Sequence, residues 1–188
     1  MQSRVQRLDH GLMRRSVGAR SPGLDRVLVA ITRAANYSRL WLLIASGLAA
    51  CGGPRGRRAA GRGIIAIVMA AAVANGPVKL LARRRRPFPG SRPTLVPMPR
   101  STSFPSGHSA AAFAFATGAC AELPILAPVL VPLAGTVAYS RVHAGVHYPS
   151  DVAAGAAIGI GSGVLATRLL RWVRHRRGIS CRHTDLDP

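Results

Sequence analysis

Polar residues that could carry out a reaction are concentrated in three short stretches of this 188-residue chain. They read KLLARRRRP at 79–87, PSGH at 105–108 and SRVHAGVHYPSD at 140–151. Together they contain the chain's one lysine, several arginines, three serines, three histidines and an aspartate. Guanidinium, ammonium and backbone N–H groups that converge on one point bind tetrahedral oxyanions such as phosphate. The three stretches therefore predict a phosphate site.

The PSGH stretch allows two interpretations, because Ser106 stands two residues before His108. The serine could be a nucleophile with the histidine as its base, as in a hydrolase. Alternatively, the loop could bind phosphate while another residue does the chemistry. Gly107 lets the backbone approach a ligand closely, and a helix that begins near His108 directs its positive end to the same place. These features favour a phosphate-binding loop.

The third stretch offers a different nucleophile, since His147 and Asp151 are four residues apart. On a helix, the carboxylate could accept the N–H of the imidazole and leave the other ring nitrogen free to attack. His108, from the other loop, could then protonate the leaving oxygen. This set is suited to phosphoryl transfer through a phosphohistidine.

The same segment could also imitate a metal site, because His143, His147 and Asp151 are spaced four residues apart. Gly145 and Pro149 argue against a regular helix through all three. We therefore predict no metal, and we expect His143 to line the pocket or to pack against its neighbours.

The composition indicates the kind of scaffold that holds these residues. Hydrophobic residues make up 48% of the chain and charged residues 17%, and the formal net charge is +20. The basic residues fall into blocks between apolar stretches, at 4–26, 55–62, 83–100 and 168–182. That distribution is typical of a multi-pass membrane protein, and it differs from the spread expected of a soluble nucleic-acid binder. No nucleic-acid partner is predicted.

The predicted fold is an all-α membrane bundle of about five transmembrane helices with an N-terminal interfacial helix. The predicted spans are 27–51, 63–82, 108–122, 124–139 and 152–170. Residues 1–26 form the basic N-terminal segment, 27–171 the transmembrane domain, and 172–188 a basic, disordered tail. Loops 83–107 and 140–151 are separated by two spans, so they emerge on the same face. The last span carries small residues at Gly155, Gly159 and Gly163, a pattern that indicates close helix packing.

Several further charged or polar residues allow more than one interpretation. Arg83, Arg84 and Arg85 could each touch substrate, but the pattern favours a solvated or headgroup-facing run. Within the first span stand Arg33, Asn36 and Arg39. These three could contact an anionic lipid or could face the bundle interior in a structural role.

The ordered motifs resemble the signature of the type 2 phosphatidic acid phosphatase superfamily, which also includes vanadium haloperoxidases and bacterial acid phosphatases. That signature is K-x6-RP, PSGH and SR-x5-H-x3-D. It occurs here as Lys79 with Arg86 and Pro87, as 105–108, and as Ser140 and Arg141 with His147 and Asp151. The stretch TRAANYSRLW at 32–41 is similar to actinobacterial members.

The resemblance implies a role for each matching residue. The phosphate-binding residues would be Lys79, Arg86, Ser106, Gly107 and Arg141. The catalytic residues would be His147 as the nucleophile, Asp151 as its orienting group and His108 as the acid. No metal and no cofactor is implied.

The predicted activity is that of a membrane-embedded phosphatase acting on a lipid phosphomonoester or diphosphate. Polyprenyl phosphates and diphosphates, phosphatidate and phosphatidylglycerol phosphate all fit as substrates. The alternative is a non-catalytic membrane protein that binds anionic lipid through its arginines. Haloperoxidase activity is disfavoured because those relatives are large and soluble. The distribution of arginines outside the catalytic loops predicts a plasma-membrane location with the active site on the extracytoplasmic face.

Overall fold

The computed structural model describes residues 4–87 and 93–183, and within these ranges the regular structure is entirely helical. The α-helices are α1 (Arg4–Gly18), α2 (Pro22–Ala34), α3 (Arg39–Cys51), α4 (Gly53–Val73), α5 (Lys79–Ala82), α6 (Gly107–Cys120), α7 (Ala127–His143) and α8 (Pro149–His183). Short 3-10 turns cover Asn36–Ser38 and Pro124–Leu126, and a π-helical turn covers Ala74–Val78. The predicted all-α class is confirmed.

Helix α6 lies at the centre of the bundle and packs against α4, α7 and α8. Its inward positions are mostly alanine, and Ala112, Phe115 and Ala119 are fully buried. The Phe115 ring packs against the Trp41 ring of α3, with 5.5 Å between centroids. Small side chains let the neighbouring helices come close, so α6 is held firmly along its length.

The glycines of α8 form the predicted contact ridge against α6. A Cβ added at Gly155 would stand 2.3 Å from the Ser106 carbonyl oxygen, and one at Gly159 would stand 2.4 Å from the Ala110 carbonyl oxygen. Both gaps are far too short for a carbon atom. The expectation that these glycines serve helix packing is confirmed, and the ridge fixes α8 against the PSGH loop.

We therefore expect Gly159→Ala to destabilise the fold by about 3 kcal/mol, because the added methyl must push α8 away from α6. Gly161→Ala is the matched control, since it lies on the same helix and has no atom within 4 Å of its added Cβ. Thermal unfolding in detergent measures the difference. A melting temperature for Gly159→Ala equal to that of Gly161→Ala would contradict the close packing.

The sequence predicted about five membrane spans, and fewer helices than that are long and apolar enough to cross a membrane. Three helical segments in the described ranges are long and apolar enough: Gly53–Ala82, Pro124–His143 and Pro149–Arg176. A fourth is possible if Pro22–Ala34 and Asn36–Cys51, which meet at an angle of 62°, are one broken span. Helix α6 has only 14 residues, whereas a bilayer core needs about 20.

The bend in the first predicted span has a local cause. Tyr37 has φ 53° and Ser38 has φ 59°, a left-handed conformation that interrupts α-helical hydrogen bonding. Arg33 lies at the end of the first arm, Asn36 lies in the 3-10 turn that begins the second, and Arg39 begins α3. The bend therefore brings polar residues from both arms to one place.

Helix α8 runs on to His183 and so includes the first part of the segment predicted as a tail at 172–188. Arginine is a good helix former and no proline occurs between Trp172 and His183, so the helix can continue past Gly178. The division of the chain into three segments stays a prediction. Residues 184–188 lie outside the described residues.

Helix α1 occupies the place predicted for an interfacial helix, and it packs against α7 and α8. Met13 and Val17 are buried on its inner face, while Val5 and Leu8 are more than half exposed on the other. An outward apolar stripe on a basic helix suits the boundary between lipid headgroups and acyl chains. Its inner face also carries a buried acid, Asp9, which reaches the catalytic end of the bundle.

Candidate active site

The three polar stretches meet at one end of the bundle. This agrees with the prediction that their loops emerge on the same face. The backbone N–H of Ser106 donates to the Asp151 carbonyl at 2.9 Å, and that of Ser103 donates to the Arg84 carbonyl at 2.8 Å. The N–H of Leu95 donates to the Ala144 carbonyl at 3.1 Å. The long proline-rich loop is thus bonded directly to both segments that carry the predicted histidine and arginines.

A cavity of about 250 Å³ opens where these stretches meet. Six of the eight predicted site residues line it: Lys79, Arg86, Gly107, His108, Arg141 and His147. Asn75 lines it as well, and no carboxylate from the described ranges does. The other two predicted residues, Ser106 and Asp151, lie behind the wall and are fully buried. A cavity lined by three cationic side chains without an acid favours an anion of several charges.

His147 lies in the wall of this cavity with one ring nitrogen facing Arg86. The distance from its Nε2 to Arg86 Nη1 is 3.1 Å. A guanidinium can only donate, so Nε2 is the acceptor and carries a lone pair, and the proton of the neutral ring resides on Nδ1. Burial lowers the pKa of His147 to about 4, although the Asp151 carboxylate opposes that shift. The ring is therefore neutral and nucleophilic above that pH.

The Asp151 carboxylate is on the far side of the His147 ring, as the spacing predicted, but at a longer distance. Its Oδ2 is 3.6 Å from Nδ1 of His147, which exceeds a hydrogen bond. The carboxylate instead accepts the N–H of Tyr148 at 2.9 Å, the hydroxyl of Ser103 and Nη1 of Arg84 at 2.7 Å. These donors hold it in place beside the nucleophilic ring.

Arg84 was predicted to lie in a solvated or headgroup-facing run, and that prediction is wrong because Arg84 forms ion pairs inside the protein. Its side chain is 24% exposed and bridges two buried acids, with Nη2 at 2.6 Å from Asp9 and Nη1 at 2.7 Å from Asp151. Its guanidinium also lies over the Tyr148 ring, 4.2 Å from the centroid. Asp9 in turn accepts the backbone N–H of Ser150 at 2.9 Å. A chain of charges thus runs from α1 to the carboxylate beside His147.

The three cations that line the cavity are held by neutral groups. Lys79 Nζ donates to Asn75 Oδ1 at 3.3 Å, and Arg141 Nη1 donates to Thr32 Oγ1 at 2.7 Å. Nε of Arg141 is buried and has no hydrogen-bond partner among the described residues. Arg86 donates to the carbonyls of Ser101 and Val146, both at 2.8 Å. Since neutral partners leave the positive charges uncompensated, all three remain available to an anion.

His108 has a partner that the sequence did not assign. Its Nε2 is 2.9 Å from Asn36 Oδ1, and an amide oxygen accepts, so this nitrogen bears a proton. The bend at Tyr37 and Ser38 places Asn36 there, and no periodicity in the sequence indicates such a bend. The sequence left Asn36 as either a lipid contact or a structural residue; the structure makes it the partner of the predicted acid.

Ser106 is the N-cap residue of α6 and does not line the cavity. Its hydroxyl accepts from the Ser109 backbone N–H at 3.4 Å and from the Ser109 hydroxyl at 3.2 Å. Its side chain therefore stabilises the first turn of the helix that presents Gly107 and His108. This geometry gives the serine no histidine to act as its base.

We expect Ser106→Ala to keep measurable turnover, with a loss of less than about tenfold. The variant loses a helix cap worth about 1 kcal/mol, while the cavity keeps its cations. Initial rates and thermal unfolding of the same preparation measure the two effects. Complete loss of turnover in a folded Ser106→Ala protein would restore the serine as a nucleophile.

His143 lies outside the cavity and packs in the core. Its Nε2 is 2.7 Å from Asp25 Oδ1 on α2, and its ring centroid is 5.7 Å from that of Tyr139. Of the two predicted places for this histidine, packing is the one the structure shows. Its role is to join α2 to α7 beside the site.

Comparison with known proteins agrees with this site. Residues 60–175 match the model of the PAP2 superfamily. The decaprenylphosphoryl-5-phosphoribose phosphatase of Mycobacterium tuberculosis is 42% identical over 130 residues, which are 66% of this chain and 68% of the relative.

Two solved structures share the fold. That of Aquifex aeolicus LpxE has a TM-score of 0.72 at 27% identity and covers 86% of this chain and 95% of its own. The transmembrane PAP2 type phosphatidylglycerolphosphate phosphatase from Bacillus subtilis has a TM-score of 0.71 at 24% identity and covers 92% and 89%. With the motifs, the helical fold and the cation-lined cavity, these matches establish that the chain is a multi-pass membrane protein of the PAP2 superfamily.

Proposed function

We propose that this lipid phosphate phosphatase hydrolyses the terminal phosphate of a polyprenyl-linked lipid through a phosphohistidine at His147. The observation that carries the proposal is the position of His147, whose Nε2 lies 3.1 Å from Arg86 Nη1 in the wall of a cavity lined by Lys79, Arg86 and Arg141. An anionic phosphate bound by these cations would present its phosphorus to that nitrogen.

In the first step, Nε2 of His147 forms a bond to phosphorus, and the bond from phosphorus to the ester oxygen breaks. The leaving oxygen takes a proton from His108, which acts in this step as the imidazolium cation and becomes neutral imidazole. The leaving group departs as a hydroxyl of the lipid, or as a lipid phosphate if the substrate is a diphosphate. His147 becomes a cationic phosphoimidazole, whose Nδ1–H faces Asp151, and the negative carboxylate stabilises that cation.

In the second step, water attacks the phosphorus and the bond to Nε2 breaks. His108, now deprotonated, accepts the proton of the water, so inorganic phosphate is released and both histidines return to their starting states. Phosphate charge is neutralised by Lys79, Arg86 and Arg141 throughout, and the Gly107 N–H at the start of α6 adds a donor. The residues present account for each proton in the cycle.

The substrate class is supported by the mycobacterial relative, whose name gives decaprenylphosphoryl-5-phosphoribose as its substrate. A prenyl tail can stay in the bilayer while the terminal phosphate enters the cavity from the membrane surface. We test the class by measuring phosphate release in detergent from decaprenylphosphoryl-5-phosphoribose, a prenyl diphosphate, phosphatidate and phosphatidylglycerol phosphate. Highest kcat/KM on the two prenyl substrates supports the proposal, and preference for the glycerolipids contradicts it.

The active site is proposed to face away from the cytoplasm. Six arginines lie in 4–26 on the side of the site, and ten lie in 55–62 and 168–182. Arg58 and Arg174 line one cavity, which supports a common end for the second group. The positive-inside rule then places the more basic end in the cytoplasm. A tag after Pro188 should be protected from protease added to intact cells, and cleavage of that tag would reverse the orientation.

A further inference from the structure

A second cavity of about 690 Å³ adjoins the phosphate site. The two cavities share four lining residues: Tyr37, Pro99, His108 and Arg141. The remaining lining of the second cavity comes from the bend between α2 and α3 and from the proline-rich loop: Thr32, Arg33, Asn36, Arg39, Val96 and Pro97. A ligand can therefore extend from one cavity into the other past His108.

The second cavity adds two arginines to the site. Arg33 and Arg39 come from the two arms of the bend, and neither forms an ion pair among the described residues. Arg39 lies near the Tyr37 ring, 5.5 Å from its centroid, and the part of the chain that the structure describes contributes no carboxylate to the cavity. Both arginines are exposed, so their guanidinium groups are accessible to a ligand, and guanidinium groups suit phosphate oxygens.

The position of His108 decides which part of a substrate would lie there. This residue is the proposed proton donor to the leaving oxygen, and it lines both cavities. The transferred phosphate occupies the side with His147, so the group attached to the leaving oxygen must extend toward Arg33 and Arg39. Those arginines would face the leaving group and not the phosphate that is transferred.

We infer that the cavity at Arg33 and Arg39 is an anion subsite for a second phosphate group carried by the leaving part of the substrate. This inference rests on the proposed function, because it takes His147 as the nucleophile and His108 as the acid. The ligand chemistry is a phosphate ester close to the scissile phosphate. It could be the inner phosphate of a prenyl diphosphate or the phosphodiester of a prenylphosphoryl-5-phosphoribose.

The test uses three substrates with one farnesyl tail: farnesyl phosphate, farnesyl diphosphate and farnesylphosphoryl-5-phosphoribose. The first has a single phosphate, and the others carry the second phosphate directly or through the sugar. Release of the terminal phosphate is measured for the wild type and for the double variant Arg33→Gln, Arg39→Gln. The charge-matched control is Arg26→Gln, Arg55→Gln, since both residues are exposed and neither is among the described residues that line these two cavities.

We expect the double variant to lose about tenfold to hundredfold in kcat/KM on a substrate with two phosphates, because charge-assisted hydrogen bonds are lost. Farnesyl phosphate and the control variant should stay within about twofold of wild type. A loss on the diphosphate alone would assign the inner phosphate to the subsite, and a loss on the ribosyl substrate alone would assign the phosphodiester. No loss, or an equal loss on all three, overturns the subsite. Failure of the wild type on every substrate would instead overturn the proposed function.

Discussion

Replacing His147 by alanine should reduce phosphate release by about ten-thousandfold or more, because the variant loses the atom that attacks phosphorus. The cavity keeps Lys79, Arg86 and Arg141, so substrate should still bind with similar affinity. Initial rates over a range of substrate concentrations separate these effects, and kcat is expected to fall while the dissociation constant of a bound phosphate analogue changes little.

His175→Ala is the matched control for that variant, since His175 is exposed on the far part of α8. It should retain wild-type rates. Residual turnover of His147→Ala at more than about one hundredth of wild type would show that this nitrogen is not the nucleophile. Loss of activity on addition of a chelator to the wild type would also contradict the proposed mechanism, which uses no metal.

Replacing Asp151 by asparagine should reduce kcat by about a thousandfold or more. The amide is nearly isosteric but cannot stabilise a cationic imidazole, and it leaves Arg84 with one carboxylate instead of two. Steady-state rates measure the loss, and thermal unfolding shows how much protein is folded. A kcat within about tenfold of wild type would show that the Asp151 carboxylate, 3.6 Å from the His147 ring, does not stabilise the imidazole cation.

Asp9→Asn tests whether the positioning of Arg84 affects the rate when the charge of Asp151 is kept. It removes the outer acid of the Arg84 bridge but leaves Asp151 in place. We expect a loss in kcat of about tenfold, smaller than that of Asp151→Asn, with KM changed less than about twofold, because a small displacement of a catalytic group slows the chemistry. An unchanged kcat would limit α1 to anchoring the bundle.

The motif residues could be predicted from the sequence because their chemistry and spacing are local. Lys79, Arg86, His108 and His147 stand on segments that a count of spans places on one face, and all four line the cavity. The glycines of α8 were also predictable, because small residues at four-residue intervals indicate close packing in lipid.

The partners of these residues could not be predicted, because they come from distant segments. Asp9 is 75 residues from Arg84, and Asn36 is 72 residues from His108. One signal was available for the first pair. The chain has only six acidic residues against 26 basic ones, so a lone acid on an interfacial helix is a candidate for a buried ion pair. No comparable signal indicated the bend that places Asn36.

Span number was less predictable, because hydropathy does not report whether a helix reaches across the bilayer. The helix predicted at 108–122 is α6, but its 14 residues are fewer than the about 20 that a bilayer core needs. Ser106 illustrates a related limit. Residue type and proximity to His108 suggested chemistry, whereas the backbone makes this serine a helix cap.

The most direct test of the central claim is to identify the residue that carries the phosphoryl group. The wild type is mixed briefly with a substrate labelled in its terminal phosphate, denatured in alkali, and digested for peptide analysis. Our account predicts a label that is stable in alkali and labile in acid, located on His147 and absent from His147→Ala. An acid-stable label on Ser106, or a label that persists in His147→Ala, would contradict the phosphohistidine mechanism.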